Sequence, residues 1–457
     1  MPVAAQVMRH ASASPGRIAV SGPGGDLTYA ELAARAGRAA RRLRDEGLAD
    51  GALVAVAQAD PVALLVAVLA ADLAGVTPLL CDHAWSEERR AQVMAAVPVA
   101  AGFDAPMPEA DGPPVRHLPG PDDLTWACFS SGSTGRPRAV VRRRASWTGS
   151  FAHLDALAGI GPDDVVLIPG PLVSSLYGFA AVHALAAGAT AVVPGRWSPG
   201  ALAEQSRRAT VVHVVPHRLT AVLDAVRAAG GPLRTAVVGG AALDAAARIA
   251  AGAAGVRVVS YYGATELSFV AVDVAGSGLR PFPGVEIDVR VPPGQDLGEV
   301  WVRSPWLCEG YLAGATGPLR RDDDGWMTVG DLAEPYRPGD VLRLRGRGDG
   351  AIQTGGATVV PEDVEEVLRK APGVDDVVVV GTPHPYLGAV VTAVVEGEGA
   401  SRTALEAVAR AELDPAQRPR RWYAAASLPR TPTGKPARGL VAARLAAGGD
   451  PGLRRLG

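Results

Sequence analysis

The sequence predicts an α/β protein with a large N-terminal domain of helix-covered, largely parallel sheets, a small antiparallel β subdomain and a small α+β C-terminal domain. Three observations support this class. The 457 residues, 48% of them apolar, are too many for one ordinary core. Short β-branched runs alternate with alanine-rich helical stretches, which is typical of parallel sheets covered by helices. From about Val285 to Arg303 the pattern changes to short strands separated by Gly and Pro.

The first elements carry start signals in the sequence. Thr28 is the expected N-cap of a helix whose apolar positions continue through Leu43, and Glu31 three residues later completes a capping box. Residues 53–57 are expected to form a buried strand, and residues 61–74 a core helix that begins with proline. These elements open a repeated strand-and-helix pattern.

The same pattern continues to the end of the chain. We expect further strands at residues 165–168, 191–193, 211–215, 235–238 and 256–259. In the C-terminal part we expect a helix at 361–368, a strand at 377–380 and a helix at 401–413. The residues after Gly346 are enough to fold separately, so we predict domains at 1–346 and 347–457.

The charge balance argues against nucleic acid as a partner. A net charge of −2 and a pI near 6.5 provide no broad basic surface for nucleic acid or an anionic membrane. Arg142, Arg143 and Arg144 form a local basic run, which we expect to be a solvated face.

Cysteine usage and the N-terminal segment predict a cytoplasmic protein. Cys81, Cys128 and Cys308 are odd in number and far apart, so neither a disulfide framework nor a zinc site is indicated. The N-terminus lacks a basic segment followed by an apolar stretch. The most apolar run, residues 61–71, ends at Asp72 well short of a membrane span, so we expect no membrane insertion.

A loop rich in serine and glycine is the strongest local motif. Residues 129–138 read FSSGSTGRPR, a density of hydroxyl groups and glycines that lets N–H and O–H groups converge on a polyanion. We interpret it as a phosphate-binding loop, with a flexible Ser/Gly loop as the alternative. The chain contains no GxxxxGK[ST], GxSxG or GxGxxG motif, which disfavours P-loop NTPases, hydrolases of that type and dehydrogenases.

Lysine is rare in this chain, which makes one lysine conspicuous. Lys370 and Lys435 are the two lysines among 45 basic residues, and Lys435 ends the loop-like segment LPRTPTGK at residues 428–435. A lysine is a compact charge on a flexible stem that can reach one oxygen of a reacting group. By itself this segment is equally consistent with an ordinary surface lysine.

Five motifs, in this order, resemble those of the adenylate-forming superfamily, which includes acyl-CoA synthetases, amino-acid adenylation domains and luciferases. The loop at 129–138 is similar to TSGTTGxPKG, with Arg138 in place of lysine and Ala139 in place of the final glycine. The others are 261–266 (YGxTE), Gly330–Asp331 (TGD), 346–353 (GRxDxxIK) and 428–435 (PxTxxGK). The resemblance covers nearly the whole chain and implies an α/β adenylating enzyme with a mobile C-terminal domain.

The resemblance also implies which residues bind ATP. Tyr262 would pack on the adenine, Thr265 would contact phosphate and Asp331 would accept both ribose hydroxyls. The full set implied for ATP is Ser130, Ser131, Gly132, Ser133, Thr134, Gly135, Arg138, Gly239, Gly240, Ala241, Tyr261, Tyr262, Gly263, Thr265, Asp331 and Arg347. Arg138 keeps the positive charge of the lysine it replaces and can supply two donors.

Two residues are implied to be catalytic. A carboxylate must approach the α-phosphate of ATP, so the site must bring two anions together while charge builds on pyrophosphate. Lys435 would bridge oxygens of both groups, and Glu266 would bind Mg²⁺ together with Thr134.

The resemblance implies a second step with a thiol. Asp349 would be the hinge of the C-terminal domain, which first brings Lys435 to the site and then replaces it with a loop at Gly355 and Gly356. Glycines without side chains would let the pantetheine arm of CoA approach the backbone closely. Gln353 stands in place of a lysine of the hinge motif.

The acyl site departs from the family pattern. Serines stand where the family often has a histidine after Pro-Leu, and the expected acyl contacts are Ser175, Tyr177 and His217. Residues 171–187 contain no carboxylate for a substrate ammonium, which favours a plain aryl, alicyclic or medium aliphatic acid. His213 and His217 have a spacing that could bind zinc on one helix, but Pro216 favours a strand that ends where a helix starts.

The sequence therefore predicts an acid–thiol ligase that uses ATP, Mg²⁺ and CoA. The alternatives are loading of a separate acyl carrier protein, a nucleotide-binding relative that has lost catalysis, and an oxygenase of luciferase type. Intact Lys435, Glu266 and Asp331 argue against loss of catalysis. The sequence contains no residue that distinguishes the oxygenase.

Overall fold

The computed structural model describes most of the chain. The described residues exclude 1–2, 86, 114, 116–119, 130–137, 196–198, 275, 316, 348–349, 351, 355–356, 386, 414–415, 432–433, 448–451 and 457. The chain forms two compact units. One takes in most of the chain up to Met327, and the other comprises Asp288–Trp301 and Thr328–Gly457. The domain boundary after residue 346 stays a prediction.

Helices occur in both units. In chain order they are α1 (Ala4–Ala13), α2 (Tyr29–Asp45), α3 (Pro61–Ala74), α4 (Glu87–Ala96), α5 (Arg144–Thr148), α6 (Phe151–Ala158), α7 (Ser175–Ala186), α8 (Pro199–Ser206), α9 (Pro216–Ala229), α10 (Ala245–Ala253), α11 (Pro361–Leu368), α12 (Arg402–Glu412) and α13 (Arg438–Ala446).

The strands are short for the most part. In chain order they are β1 (Ile18–Gly22), β2 (Gly25–Thr28), β3 (Leu53–Val56), β4 (Thr77–Leu80), β5 (Ala101–Phe103), β6 (Leu124–Phe129), β7 (Ala139–Arg143), β8 (Val165–Leu167), β9 (Thr190–Val192), β10 (Val211–Val214), β11 (Thr235–Val238), β12 (Arg257–Ala264), β13 (Ser268–Asp273), β14 (Arg280–Pro281), β15 (Glu286–Arg290), β16 (Gly298–Arg303), β17 (Gly310–Tyr311), β18 (Arg320–Arg321), β19 (Met327–Thr328), β20 (Asp331–Ala333), β21 (Leu344–Arg347), β22 (Ile352–Thr354), β23 (Ala357–Val359), β24 (Asp376–His384), β25 (Gly388–Glu396), β26 (Arg421–Ala425) and β27 (Leu453–Arg455).

The first unit is built on two sheets. The larger has the strand order β14-β13-β12-β11-β10-β8-β9-β1-β2, and its strands from β12 to β1 run parallel. The second has the order β17-β7-β6-β4-β3-β5, with β5, β3, β4 and β6 parallel and β7 and β17 antiparallel to their neighbours. The predicted largely parallel sheets are confirmed, with antiparallel strands confined to the ends of each sheet.

The first helices begin where the sequence predicts. The Thr28 hydroxyl accepts from the N–H of Glu31, and the Glu31 carboxylate accepts from the N–H of Thr28. In α3, Asp60 caps the N-terminus, Pro61 is the first helical residue and Gly75 ends the helix. Nearly every residue of α3 is buried, which explains why its sequence is apolar on all sides.

The basic run at residues 142–144 is not the solvated face that was predicted. The Arg142 side chain is buried, donates to Ser146 Oγ (2.8 Å) and the Trp306 carbonyl (2.7 Å), and lies 4.1 Å from the Trp147 ring centroid. Burial lowers the pKa of Arg142 to about 10, which still leaves it charged at neutral pH. The expectation was wrong because a guanidinium can be buried when backbone carbonyls and an aromatic face satisfy it.

A buried ion pair accounts for the third arginine of the run. Arg144 Nη1 lies 2.7 Å from Asp72 Oδ1, and the side chains are 12% and 1% exposed. Asp72 also accepts from the N–H of Ala4, so it joins α1, α3 and the start of α5. Arg143, in contrast, is half-exposed and pairs with Asp122 and Glu309.

The second unit contains an antiparallel part and an α+β part. Strand β20 pairs antiparallel with the start of β16 and with β21, as the pattern after Val285 predicts. A second sheet has the order β23-β22-β25-β26-β27, with β24 paired to the other edge of β25. Its core is formed by the side chains Val364, Leu368, Val379, Val391, Leu405 and Trp422, among others. The predicted α+β tail is confirmed.

Two strands are longer than the sequence indicates. Strand β12 continues past Val259 to Ala264, because Tyr261 and Tyr262 pair with Val272 and Ala271 of β13. Strand β24 continues past Val380 to His384 and pairs with β25 along its whole length. In the part of the chain that the structure describes, no helix combines the length and apolar character needed to cross a bilayer.

Candidate active site

The candidate site in the first unit is centred on the turn between β12 and β13. Strand β12 ends at Ala264, and Thr265 and Glu266 occupy the turn before β13 begins at Ser268. The pairing register of the two strands shifts between Tyr262 and Gly263. Such an irregularity re-aims the side chains that follow it. The motif YYGATE therefore spans a strand end and a tight turn.

Glu266 is a buried carboxylate with a defined partner. Glu266 is 5% exposed, and the Tyr311 hydroxyl donates to its Oε1 atom at 2.9 Å. Its backbone carbonyl accepts from the N–H of Cys308 at 2.9 Å. A buried carboxylate is costly unless it is paired or binds a cation, so the position favours a functional group over a solvated acid.

Tyr311 is held beside Glu266 by strand β17. Burial raises the pKa of the Tyr311 phenol, and the charge of Glu266 raises it further. Tyr311 therefore remains a hydrogen-bond donor at every physiological pH. No motif in the sequence singled out Tyr311, since its partner is 45 positions away.

Thr265 is joined to the start of helix α7. The hydroxyls of Ser175 and Thr265 lie 2.8 Å apart, and either can donate. Ser175 is the first residue of α7, after Ser174 at the N-cap. Ser175 therefore hydrogen-bonds to Thr265, the residue that is expected to contact phosphate.

Gly239 lies at the end of β11, against a ring of the neighbouring strand. A methyl group added at Gly239 would lie 2.2 Å from Tyr261 Cζ, so no other residue fits without displacing that ring. Gly240 and Ala241 follow it and are exposed. Because the carboxyl ends of parallel strands share one edge of the sheet, this loop lies on the same edge as the end of β12.

The predicted acyl contacts differ in exposure. Ser175 is half-buried, His217 is exposed in the first turn of α9, and Tyr177 is fully buried. The Tyr177 ring packs on Gly170, where an added methyl group would lie 2.0 Å from Tyr177 Cε2. Their roles toward a substrate stay predictions.

The two histidines of the HVVPH segment are on different elements. His213 is on strand β10, which ends at Val214, and His217 follows Pro216 in α9. The predicted strand that ends at a helix start is confirmed. Burial, with a smaller contribution from His183, lowers the pKa of His213 to about 3.

Two predicted ATP contacts lie in the second unit. Asp331 is the first residue of β20, is 9% exposed and pairs in register with Arg347 of β21. This register places the backbone of the two motifs side by side, although they are 16 positions apart in sequence.

The second unit also contains the Lys435 loop. The backbone of Thr431 donates to the Lys435 carbonyl at 2.7 Å, and the N–H of Lys435 donates to Thr431 Oγ1 at 3.2 Å. Arg430 fixes this loop to the sheet through Asp376 (3.0 Å) and Glu396 (2.9 Å). The lysine is therefore presented by an anchored turn rather than a loose tail.

A buried ionic cluster follows Lys435. Arg438 Nη2 donates to Glu365 Oε1 (2.9 Å) and Oε2 (3.0 Å), and Arg438 also pairs with Glu362. Glu365 is buried and accepts from the N–H of Val379 at 2.8 Å. This cluster ties the start of α13 to α11, and no motif in the sequence indicates it.

Several predicted residues lie outside the described residues. They are Ser130, Ser131, Gly132, Ser133, Thr134, Gly135, Asp349, Gly355 and Gly356. Arg138, the last residue of the phosphate-loop motif, is described and half-buried.

Comparison with protein families supports the resemblance found in the motifs. The model of the AMP-binding enzyme family matches residues 7–112 and 98–312, and the model of the AMP-binding enzyme C-terminal domain matches residues 363–435. This chain belongs to the AMP-binding enzyme family.

Relatives within the AMP-binding enzyme family extend over most of the chain. An uncharacterized acyl-CoA ligase, YhfT of Bacillus subtilis, is 31% identical, with 94% of this chain and 96% of YhfT covered. Feruloyl-CoA synthase of an Amycolatopsis species is 30% identical, with 86% and 88% covered.

Solved structures share the fold. ATP-bound MatB from Rhodopseudomonas palustris is 25% identical with a TM-score of 0.83, and 96% of this chain and 98% of MatB are covered. The o-succinylbenzoate CoA synthetase MenE from Bacillus subtilis, in complex with the acyl-adenylate intermediate OSB-AMP, gives a TM-score of 0.85 at 22% identity, with 95% and 97% covered. Because the identity to MenE is only 22%, this similarity shows that the fold is shared and nothing further.

The described side chains fit a magnesium ion that is bound together with ATP. Among them, no group of three or more His, Cys, Asp and Glu side chains could hold a metal ion by itself. Magnesium does not require such a cage, because it is usually bound through one or two carboxylates together with substrate phosphates and water. Glu266, a buried hard oxygen donor, meets that requirement.

Proposed function

We propose that this chain is an AMP-forming acid–CoA ligase. It would activate a carboxylic acid with ATP to give acyl-AMP and pyrophosphate, and then transfer the acyl group to the CoA thiol with release of AMP. The observation that carries this proposal is Glu266, a buried carboxylate next to Thr265 at the strand ends of a chain that belongs to the AMP-binding enzyme family. Its relatives are named acyl-CoA ligase and feruloyl-CoA synthase.

The chain's own residues would overcome the repulsion between substrate carboxylate and ATP. Lys435 would contact oxygens of both groups while negative charge moves from the carboxylate toward the departing pyrophosphate. Thr265 and Arg138 would bind phosphate oxygens, and Asp331 would hold the ribose. Preorganised charges of this kind typically contribute on the order of 10²-fold or more each to the rate.

Magnesium, when bound, neutralises phosphate charge and orients the leaving pyrophosphate. Glu266 would be the protein carboxylate that holds it, with Thr134 as a second oxygen ligand. Lys435, held by its anchored turn, would act separately from the metal, on the transfer of AMP from ATP to the carboxylate.

The second half-reaction would use a different set of residues. We propose that residues 347–457 pivot at Asp349, so that Gly355 and Gly356 replace Lys435 next to the acyl-adenylate and admit the thiol. Free CoA is the acceptor we propose over a carrier protein, since YhfT is named an acyl-CoA ligase and the Amycolatopsis relative a feruloyl-CoA synthase.

We propose a plain carboxylic acid, with aromatic acids as the first class to test. The segment at 171–187 lacks a carboxylate that could hold a substrate ammonium. One relative, feruloyl-CoA synthase, is named for an aromatic acid.

Trapping the activated acid tests the proposal directly. Full-length protein would be incubated with ATP, Mg²⁺, hydroxylamine and one acid at a time from a panel of aromatic, alicyclic, aliphatic and amino acids. We expect hydroxamate and pyrophosphate with at least one plain acid, and replacement of hydroxylamine by CoA to give the thioester and AMP. Tight nucleotide binding without pyrophosphate release from any acid would instead favour a non-catalytic relative.

A further inference from the structure

Tyr311 makes a contact that the assigned roles do not explain. Its hydroxyl donates to Glu266 Oε1 at 2.9 Å, and both groups are in the first unit. We propose that Tyr311 is a positioning residue that fixes the Glu266 carboxylate for the magnesium complex of ATP, and that Gly317 reserves the space for it beside Arg138. This inference rests on the proposed function, because it assigns Tyr311 to the same site.

The sheet determines where the Tyr311 ring lies. Strand β17 pairs antiparallel with β7, with Tyr311 opposite Val140 and Gly310 opposite Val141. The N–H of Glu309 donates to the Val141 carbonyl at 3.0 Å, and the Glu309 carboxylate lies 2.8 Å from Arg143 Nε. Tyr311 is therefore attached to the strand that directly follows the phosphate-loop motif.

Gly317 shows how closely Tyr311 and Arg138 approach each other. A methyl group added at Gly317 would lie 2.5 Å from Tyr311 Cε2 and 2.8 Å from Arg138 Cδ. Both distances are too short for a real carbon contact, so the phenol ring and the arginine stem would both have to move. Gly317 therefore leaves room for both side chains. Arg138, the cation of the loop motif, lies beside Tyr311, which is the partner of Glu266.

The hydrogen bond limits how Glu266 can act. Donation to Oε1 restricts the rotation of the carboxylate and occupies one of its acceptor positions. The phenol is the donor in this bond, because an ionised carboxylate can only accept. Groups that orient a metal-binding carboxylate typically change metal affinity or activity by about 10–100-fold when they are removed.

The test compares magnesium-dependent with magnesium-independent ATP binding. Calorimetry would measure the Kd of ATP for wild type and Tyr311→Phe, once with saturating Mg²⁺ and once with EDTA. We expect Tyr311→Phe to weaken binding of Mg-ATP by about 10-fold or more, with no matching change for metal-free ATP. The Mg²⁺ concentration for half-maximal hydroxamate formation should rise in parallel.

Tyr29→Phe provides the matched control. Tyr29 is the first residue of helix α2. Its hydroxyl is also buried and donates to the Ala189 carbonyl at 2.9 Å and the Leu185 carbonyl at 3.2 Å. Removal of that hydroxyl should leave the ratio of the two Kd values at the wild-type value. Gly317→Ala retains the phenol but displaces both it and Arg138, so it should weaken the binding of both forms of ATP and still shift the ratio in the same direction as Tyr311→Phe.

The outcomes separate this inference from the proposed function. Equal weakening of both forms of ATP, or an unchanged ratio in both Tyr311→Phe and Gly317→Ala, would overturn the positioning role. If wild type yields no hydroxamate but Tyr311→Phe still weakens the binding of Mg-ATP selectively, the ligase proposal fails and the positioning role stands. A wild type that binds neither form of ATP would refute both.

Discussion

The hydroxyls of Ser175 and Thr265 are 2.8 Å apart, although the two residues are 90 positions apart in sequence. The contact connects the first turn of α7 to the turn that contains Glu266. Ser175 therefore has a structural role within the protein, whereas a residue that only lines an acyl pocket would have none.

Ser175→Ala should slow acid activation moderately. A hydrogen bond of this kind contributes about 1 kcal/mol net, so its loss should lower kcat/KM for adenylation by about 5-fold. The matched control is Ser174→Ala, because Ser174 is the N-cap residue but makes no side-chain capping bond. Equal effects of the two substitutions on hydroxamate formation would be inconsistent with a link between Ser175 and Thr265.

Gly239→Ala should weaken ATP binding. The added methyl group would lie 2.2 Å from the Tyr261 ring, which must shift and carry the adjacent strand end with it. We expect a higher KM for ATP, with a smaller effect on the KM for the acid. Gly252→Ala is the control, since an added methyl group there meets nothing within 4 Å in helix α10; it should be neutral or stabilise the fold by about 0.5–1 kcal/mol.

Arg438→Met should destabilise the second unit. Removal of one partner from a buried ion pair typically costs about 3–5 kcal/mol, because the other charge stays buried. Glu365 is 5% exposed and would lose both bonds to Arg438. Urea unfolding should show this loss, whereas Arg410→Met, which removes an exposed i,i+4 pair with Glu406, should cost at most about 0.5 kcal/mol. Similar costs for both variants would contradict the account of the buried cluster.

Stability should fall on acidification because of His213. Its pKa is about 3 in the folded protein, where burial and His183 disfavour the charged ring, and about 6.5 when unfolded. Between these values the unfolded state binds more protons, so the free energy of unfolding falls as pH falls below about 6.5. This one group gives a slope of at most about 1.4 kcal/mol per pH unit.

Urea midpoints at pH 7.5 and pH 5 measure the His213 effect. His213→Gln should reduce the difference between the two midpoints, whatever its effect on stability at pH 7.5. His83→Gln, which changes an exposed ring, should retain the wild-type difference. An undiminished difference in His213→Gln would show that other groups cause the pH dependence.

The sequence predicted elements best where local signals act alone. Helix α3 begins at Pro61 and α11 at Pro361 as expected, because proline at the first helical position and the residues before it are local start signals. Strand β12 was predicted too short, since its extension to Ala264 depends on pairing with β13 rather than on its own composition.

The sequence predicted the site incompletely for the same reason. Its motifs indicated Glu266, but its partner Tyr311 is fixed through the pairing of β17 with β7. Arg142 and Arg144 were expected in solvent. Inside the protein, however, Arg142 donates to the Trp306 carbonyl and Arg144 pairs with Asp72. Contacts of this kind join distant segments, and no spacing in the sequence encodes them.

The half-reactions of Lys435→Ala test the central claim most directly. Hydroxamate formation from acid and ATP would be compared with thioester formation from synthetic acyl-AMP and CoA, with Lys370→Ala as control because Lys370 is the other lysine and pairs with Glu412 at the surface. We predict that Lys435→Ala loses on the order of 10²-fold or more in the first reaction and little in the second, while Lys370→Ala retains both. Equal loss of the two reactions in Lys435→Ala, or unimpaired activation of the acid, would contradict the account.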